Sequence, residues 1–334
     1  MPASYAYEAA LWARVLAMRN WRLSGGARAL ARGLGVVVVV SAVALGTPAP
    51  SFAGILSPGG TGGTGTGGTG ASGTGASGAE PAVHVRGGDL VEVGSGAQLW
   101  AEDPDVARPM GSITKVMAAL VVLQAGHLNQ EITVTKAAVS YAKRDGASSA
   151  GLIAGDVLTA QQLLEAMLLP SGCDAAYLLA TAYGPGPSAF IAKMNAMAAQ
   201  LGMTSTNFTS FDGMPYPTEY STYSTPADLI RLGERVMRIP LFRQIVAQPQ
   251  YYLPAGDGHH SYLWIQTDKL IGSYPGATGI KTGDTDKAGN CLLFEATRDG
   301  VTLIGVVLYA YPNSNPGSAI AAAAHVLNWG FGQT

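Results

Sequence analysis

The sequence of 334 residues contains few cysteines and few charges. Its two cysteines, Cys173 and Cys291, are too few for a disulfide scaffold, and neither lies in the C-x-x-C or paired Cys/His spacing of structural zinc. Charged residues make up 13% of the chain, the net charge is −2, and no basic run alternates with aromatic residues. The sequence therefore excludes a zinc-stabilised or disulfide-rich domain and predicts no nucleic-acid partner.

Two common hydrolase signatures are also missing. No H-E-x-x-H surrounds any of the five histidines, and no G-x-S-x-G occurs, so neither a zinc protease nor an α/β-hydrolase is indicated. Asp257, His259 and His260 are residue types that bind metals, but a solvated loop is the simpler interpretation. We expect no metal site and no organic cofactor.

The chain has no apolar run of the length usual for a membrane-spanning helix. Residues 33–46 are almost all apolar, but as a helix they reach about 21 Å against a hydrocarbon core of about 30 Å. Arginines precede this run, and the small-residue site Ser51-Phe52-Ala53 follows it. This order predicts a signal peptide at residues 1–53 and an exported protein. If it were not cleaved, the segment would tether the protein to the membrane.

Glycine, in contrast, is abundant, with 44 residues, many of them in a stretch of Gly, Thr, Ser and Ala. Such a composition buries too little apolar surface to offset chain entropy, which predicts a flexible linker at residues 54–81. The linker contains Gly63-x-Gly65-x-x-Gly68, but no strand precedes this pattern and no helix follows it, so a nucleotide site is not expected.

Residues 82–334 are predicted to form one catalytic domain with strands near both of its ends. Residues 89–93 and 97–100 flank a Gly-rich turn, and residues 291–297 and 301–309 flank Asp299-Gly300, a hairpin signal. The region between them is mostly helical. This order predicts an α+β fold in which an antiparallel sheet joins the two termini and terminal helices flank it.

Helix boundaries are marked by specific residues. The apolar spacing from Ile113 to Val121 predicts a helix that Gly111 introduces and Gly126 ends. Thr159 and Gln162 form a capping box for a helix that Pro170 stops, and a third helix runs from Asp174 to Gly184. Ser318 is predicted to cap a closing helix that extends to Trp329.

Three short motifs carry candidate chemistry. Ser112 and Lys115 are three residues apart, so they share a helix face where an amine reaches a hydroxyl. Ser171-Gly172-Cys173 follows Pro170 in a bend between helices, and Lys281-Thr282-Gly283 lies in a strand where glycine permits close backbone approach. Taken singly, each motif also fits an ordinary capped helix, a turn or an edge strand.

In this order, however, the three motifs resemble those of penicillin-binding proteins and class A β-lactamases. Flanking stretches, among them Phe211-Asp-Gly213 and Ser224-Thr-Pro-Ala-Asp-Leu229, make residues 82–331 similar to the serine D-Ala-D-Ala carboxypeptidases, the low-molecular-mass penicillin-binding proteins. The resemblance implies a penicillin-binding-protein/β-lactamase-like fold. It also implies an exported carboxypeptidase or transpeptidase that acts on peptidoglycan stem peptides ending in D-Ala-D-Ala and is acylated by β-lactam antibiotics.

The resemblance implies a role for each motif residue. Ser112 would be the nucleophile and Lys115, its pKa lowered by Lys281, the base, while Ser171 would relay a proton. The backbone N–H groups of Ser112 and Asp284 would form an oxyanion hole. The residues expected to contact substrate are Cys173, Lys281, Thr282, Gly283, Asp284 and Thr285, with Lys281, Thr282 and Thr285 holding the terminal carboxylate.

Two residues depart from the usual pattern. Cys173 stands where the family usually has Asn, and a thiol is a weaker hydrogen-bonding group than an amide. Two nearby lysines would favour its thiolate and make it reactive, and a disulfide with Cys291 is an open alternative. Asp284 places a carboxylate beside the expected carboxylate site.

Two other functions stay open at this point. A β-lactamase would need a deacylating carboxylate, and no Glu-x-x-x-Asn segment occurs between Ser171 and Lys281. A wall-binding module that has lost turnover through Cys173 is the non-enzymatic alternative.

Overall fold

The computed structural model describes residues 80–144, 146–256 and 258–334. The predicted signal segment, almost all of the predicted linker and Asp257 lie outside the described residues. Among the residues that are described, no helix is long and apolar enough to cross a membrane.

The described chain contains strands at both ends and helices between them. The strands are β1 (Gly87–Glu92), β2 (Gln98–Glu102), β3 (Glu131–Thr133), β4 (Val157–Thr159), β5 (Gln250–Leu253), β6 (Tyr262–Ile265), β7 (Ala277–Thr285), β8 (Gly289–Arg298) and β9 (Val301–Ala310). The helices are α1 (Thr114–Ala125), α2 (Lys136–Lys143), α3 (Ala160–Leu168), α4 (Cys173–Tyr183), α5 (Pro187–Gln200), α6 (Pro226–Met237), α7 (Pro240–Val246) and α8 (Ser318–Phe331). A single 3₁₀ turn, Gly111–Ile113, leads into α1.

Five strands form one antiparallel sheet in the order β2-β1-β9-β8-β7. Asp89 of β1 pairs with Val306 of β9, which in turn pairs with Leu293 of β8, so the sheet joins the two ends of the domain as predicted. The first eight residues of β8 are buried in succession, because helices cover both faces of the sheet. Helix α8 packs on one face, and α6 packs on the other.

Helix α1 lies in the centre of the helical region. All nine residues from Thr114 to Val122 are buried, so the helix is surrounded by protein rather than amphipathic. Its burial removes Lys115 from bulk water, which matters for the chemistry of that side chain.

Two predicted helix starts have different outcomes. The capping box at α3 is present, because the Thr159 hydroxyl accepts from the Gln162 N–H and the Gln162 side chain accepts from the Thr159 N–H. The predicted cap of α8 is wrong. The Ser318 hydroxyl donates to the carbonyl of Ala310 instead, and Gly317 occupies the cap position.

Strands β5 and β6 form a two-stranded ribbon that contacts the loop at Ala150 through Trp264. Trp264 is buried, stacks on Tyr251 and donates its indole N–H to the carbonyl of Ala150 at 3.0 Å. Trp264 therefore packs in the core, whereas Tyr252 is exposed.

Candidate active site

Ser112 and Lys115 meet where the 3₁₀ turn becomes α1. Lys115 Nζ lies 2.7 Å from Ser112 Oγ and donates a hydrogen bond of 2.9 Å to the carbonyl oxygen of Asp212. The Lys115 side chain is completely buried. A buried amine in hydrogen-bond contact with a serine hydroxyl is an arrangement suited to a general base and its nucleophile.

Ser171 lies in the bend between α3 and α4. It has φ of +64°, an uncommon conformation for a residue with a side chain, and it is 4% exposed. Its hydroxyl has no hydrogen-bond partner among the described residues. A strained backbone together with a buried, unpaired hydroxyl is typical of a functional position.

Cys173 is the first residue of α4 and is 1% exposed. Burial raises the pKa of its thiol to about 12, although the charge of Lys115 acts to lower it. The expectation of a reactive thiolate is therefore wrong, because the loss of hydration outweighs the attraction of the lysine. Cys173 and Cys291 are both free, so the alternative of a disulfide between them is also wrong.

Lys281 lies on β7 and is completely buried rather than protecting an exposed strand edge. Its Nζ donates to the carbonyl and the hydroxyl of Thr282 at 3.2 and 3.3 Å. Burial, and to a lesser extent repulsion from Lys115, lower the pKa of Lys281 to about 7, against the attraction of Asp268. Repulsion between the two lysines therefore contributes to the low pKa of Lys281.

The end of β7 packs tightly against the segment that carries the nucleophile. A Cβ at Gly283 would lie 2.1 Å from the carbonyl oxygen of Met110, which confirms that this position requires close backbone approach. A Cβ at Gly111 would lie 2.7 Å from the backbone nitrogen of Asp284. The amide of Asp284 therefore lies next to Gly111, the residue before Ser112, and an oxyanion hole is expected in this region.

Thr282 and Thr285 differ in the hydrogen bonds of their hydroxyl groups. The Thr282 hydroxyl contacts the Thr267 hydroxyl at 2.7 Å. The Thr285 hydroxyl donates to Glu219 Oε2 at 3.3 Å and accepts from the N–H of Ala288 at 3.1 Å. The hydroxyl hydrogen of Thr285 is thus directed to a carboxylate in this structure, and the expected contact of Thr285 with the substrate carboxylate stays a prediction.

These side chains surround a cleft of about 240 Å³. It is lined by Ser112, Gly146, Ala147, Ser148, Ser171, Cys173, Gly213, Met214, Thr267, Thr282, Asp284 and Thr285. Six of the nine predicted site residues are in this set, and Lys115 and Lys281 lie buried behind its walls. Sequence reasoning missed residues 146–148, Met214 and Thr267, and it named Gly213 only within a resembling stretch.

The loop that contains residues 146–148 is held in place by a buried carboxylate. Asp174 accepts from the Ser149 hydroxyl and the N–H of Ala150 at 2.7 and 2.9 Å, and the N–H of Cys173 donates to the carbonyl of Ser148. The sequence signal for this contact is an acidic residue in the first turn of α4, outside the three motifs.

The described residues contain no group of three or more His, Cys, Asp or Glu side chains that could hold a metal ion. His260 Nδ1 lies 2.8 Å from Asp156 Oδ1, and the backbone N–H of His260 donates to Asp156 Oδ2.

Comparison with known proteins gives a consistent result. Residues 76–311 match the family of D-alanyl-D-alanine carboxypeptidases. A D-alanyl-D-alanine carboxypeptidase of Streptomyces sp. (strain K15) is 39% identical over 264 residues, which are 75% of this chain and 89% of that protein. One of Mycobacterium tuberculosis is 37% identical over 242 residues, or 72% of this chain and 80% of the relative.

Solved structures agree with the sequence relatives. The Streptomyces K15 DD-transpeptidase has a TM-score of 0.71 and 38% identity, covering 76% of this chain and 99% of its own. A penicillin-binding protein homolog from Mycobacterium tuberculosis has a TM-score of 0.68 and 34% identity, covering 76% of this chain and 97% of its own.

Proposed function

The chain belongs to the D-alanyl-D-alanine carboxypeptidase family, and on that premise we propose that Ser112 is its nucleophile and Lys115 its general base. The observation that carries this proposal is the 2.7 Å contact between Lys115 Nζ and Ser112 Oγ at the cleft. The substrate proposed is a peptidoglycan stem peptide ending in D-Ala-D-Ala, and β-lactams acylate the same serine.

Acylation starts from neutral Lys115. Its Nζ takes the hydroxyl proton while Ser112 Oγ bonds to the carbonyl carbon between the two D-alanines. The C–N bond of the tetrahedral intermediate then breaks, and the departing amine receives that proton through the Ser171 hydroxyl. The unpaired state of this hydroxyl among the described residues supports its role as relay. An acyl ester on Ser112 and free D-alanine remain, and water or an amine then releases the acyl group.

The oxyanion of the intermediate is stabilised by the backbone N–H groups of Ser112 and Asp284. The support for this assignment is the close packing of Asp284 against Gly111. Donors that are fixed before the reaction stabilise the charge where it develops, without reorganisation.

Lys281 and Thr282 bind the terminal carboxylate of the substrate. Because the pKa of Lys281 is about 7, a substantial fraction of this amine is neutral at pH 7 before substrate arrives. A carboxylate nearby favours the charged form, so binding of substrate is coupled to uptake of a proton. Cys173 lines the same cleft as a neutral thiol and offers the substrate only weak hydrogen bonds.

We further propose that the protein works outside the cytoplasm, where the family acts on the cell wall. The support lies in the sequence, with a signal-like segment at residues 1–53 and a Gly-rich linker at 54–81. An uncleaved segment would tether the catalytic domain to the membrane. N-terminal sequencing of the mature protein from fractionated cells distinguishes cleavage after Ala53 from retention of the segment.

Labelling with a tagged penicillin tests the catalytic assignment. We expect one adduct on the peptide that contains Ser112, complete loss of it in Ser112→Ala, and retention of it in Ser148→Ala, which removes another serine of the cleft. An adduct on any other residue contradicts the proposal. Release of D-alanine from a pentapeptide then separates an enzyme from a wall-binding module without turnover, and rapid hydrolysis of the penicillin adduct indicates a β-lactamase.

A further inference from the structure

Residues 210–214 form a turn that holds a buried carboxylate beside Lys115. Asp212 is completely buried. Its Oδ2 accepts from the Tyr141 hydroxyl at 2.9 Å, and its Oδ1 accepts from the Ser210 hydroxyl at 2.8 Å and the N–H of Met214 at 3.1 Å. Three donors compensate the lost hydration of the charge, and each of them fixes the shape of the turn.

The backbone of the same residue contacts the general base. The carbonyl oxygen of Asp212 accepts from Lys115 Nζ at 2.9 Å. The next residue, Gly213, has φ of +90°, and a Cβ there would lie 2.0 Å from the carbonyl oxygen of Gly111. The turn therefore cannot move without moving the segment that carries Ser112.

This contact determines how the amine faces the nucleophile. A neutral lysine amine has two hydrogens and one lone pair in tetrahedral directions. One hydrogen is directed to the Asp212 carbonyl, which restricts rotation about the last bond of Lys115. The lone pair can then be held toward the Ser112 hydroxyl at 2.7 Å. Without the carbonyl, the amine would rotate among orientations, most of which do not accept the proton.

Tyr141 connects the turn to the helical region. Its ring lies on α2 and packs against Tyr177 of α4 and Phe211, with ring centroids 5.3 and 5.4 Å apart. Burial and the Asp212 carboxylate raise the pKa of Tyr141, so its hydroxyl remains a donor. The hydrogen bond to Asp212 thus fastens the turn to rigid elements.

We propose that Asp212 and Tyr141 are positioning residues for acylation, in which the Tyr141–Asp212 hydrogen bond fixes the turn whose carbonyl orients Lys115. This inference rests on the proposed roles of Ser112 and Lys115. It goes beyond them because neither residue belongs to the three sequence motifs.

The test separates the acylation rate constant from noncovalent binding of a chromogenic penicillin. A positioned base contributes about 10²- to 10⁴-fold, so partial loss of its orientation in Asp212→Asn should lower the rate constant about 10- to 100-fold. In Tyr141→Phe we expect a loss of roughly 3- to 10-fold, about 0.7 to 1.4 kcal/mol, which is the size of one hydrogen bond. The dissociation constant should stay unchanged in both, because the turn acts on the base and not on the ligand.

Tyr183→Phe is the matched control. This buried tyrosine lies on α4, and its hydroxyl donates to the carbonyls of Gly126 and His127, away from Lys115. Its acylation rate constant should stay within twofold of the unaltered protein. Rates are expressed per active site, and thermal unfolding is measured for each variant, so that a loss of folded protein is not counted as a loss of catalysis.

The double variant Asp212→Asn/Tyr141→Phe provides the decisive readout. Since Tyr141 acts through the Asp212 side chain, its removal should cost less once Asp212 is changed than it does in the unaltered protein. Additive losses, or equal rate constants in the unaltered protein and Asp212→Asn, overturn this inference alone. Absence of acylation in the unaltered protein overturns the proposed function and the inference with it.

Discussion

The two walls of the cleft approach the nucleophile segment in the same way but are held by different forces. On the strand wall, a Cβ at Gly283 would meet the carbonyl of Met110, and on the helical wall, a Cβ at Gly213 would meet the carbonyl of Gly111. Each wall therefore comes within backbone contact of the residues just before Ser112.

The strand wall is fixed by its backbone. Lys281 pairs with Leu293 and Gly283 with Cys291 in the antiparallel ladder of β7 and β8. These bonds are made by groups that nearly every residue possesses, so the position of this wall depends little on particular side chains.

The helical wall is fixed by buried carboxylates. Asp174 accepts from Ser149, Ala150 and Leu152, and Asp212 holds the turn beside Lys115. Each of these carboxylates accepts hydrogen bonds from loop residues that form no β-ladder. The difference predicts that single substitutions affect the helical wall more than the strand wall.

The largest effect is expected at the two glycines. Gly213→Ala meets both a backbone oxygen and the strain of φ at +90°, so we expect its acylation rate constant to fall by more than about 100-fold, or roughly 2.7 kcal/mol. Gly283→Ala introduces only the close contact with a backbone oxygen, so its acylation rate constant should fall less. Gly126→Ala is the control, since it has φ of +73° with open space around it and lies away from the cleft. A larger loss in Gly283→Ala than in Gly213→Ala would reverse the comparison.

Lys281 provides a test that is confined to the strand wall. Lys281→Ala should weaken kcat/KM for a peptide with a terminal carboxylate by roughly 10- to 150-fold relative to an uncharged acyl ester. The reason is that only the peptide loses a charge-assisted contact of about 1.5 to 3 kcal/mol. Lys287→Ala, which removes an exposed lysine just after β7, should change neither substrate. An equal loss of kcat/KM for the peptide and the ester would instead show that Lys281 acts on the acylation step through Lys115.

The same residue predicts a pH dependence with a definite sign. Lys281 is protonated below its pKa of about 7 and loses its charge as the pH rises through that value. The preference for the peptide over the ester should therefore decline from pH 6 to pH 9. Taking the ratio of the two substrates cancels ionisations that affect both, such as that of the base. Lys281→Ala should show a flat ratio, and a ratio that rises with pH would contradict the assignment.

Glu165 is a third buried carboxylate of the helical region, and it has fewer hydrogen-bond donors around it than Asp174 and Asp212. Glu165 on α3 is 4% exposed, and its only side-chain partner in the described chain is Gln248, with both oxygens 3.3 Å from the amide nitrogen. Burial raises the pKa of Glu165 to about 7. The folded state thus favours the protonated form, and unfolding is easier once the group is charged.

Glu165→Gln should therefore stabilise the protein at pH 8 by on the order of 1 to 3 kcal/mol and reduce the gain in stability that the unaltered protein shows as the pH falls toward 5. Asp174→Asn, with several backbone donors at the carboxylate, should destabilise it instead. Chemical unfolding of all three proteins at pH 5 and pH 8 measures both effects. A loss of stability in Glu165→Gln at pH 8 would show that its charge is compensated.

The parts that the sequence predicts are those in which short-range patterns determine the structure. The family, the α+β fold with its terminal sheet, and the enzyme class of a serine-type D-Ala-D-Ala carboxypeptidase are confirmed. The motif order and the spacing of turns and caps, such as Thr159 with Gln162, contain this information.

The parts that the sequence does not predict depend on contacts between distant residues. The Asp212 carbonyl reaches Lys115 across 97 positions, and Trp264 reaches the Ala150 carbonyl across 114. Burial is also a property of the whole fold. Attraction by two lysines suggests a thiolate at Cys173, but only the three-dimensional structure reveals that lost hydration is the larger effect.

The smallest effects are expected for the two cysteines, which place one thiol in each wall. Cys173 begins α4 and Cys291 pairs with Gly283 on the strand wall; both are 1% exposed, and burial raises both pKa values to about 12. Because the thiolate is the reactive form, both should react with a thiol reagent at pH 7.5 far more slowly than an exposed cysteine, and only unfolding should bring their rates to that of an exposed cysteine. Mass spectrometry of the modified peptides measures these rates.

Cys173→Asn should be acylated by penicillin at an equal or higher rate, since an amide hydrogen-bonds more strongly than a thiol. Stopped-flow acylation measures this effect. Acylation of Cys173→Asn slowed by about tenfold or more, a loss of about 1.4 kcal/mol, would show that the helical wall has adapted its packing to sulfur.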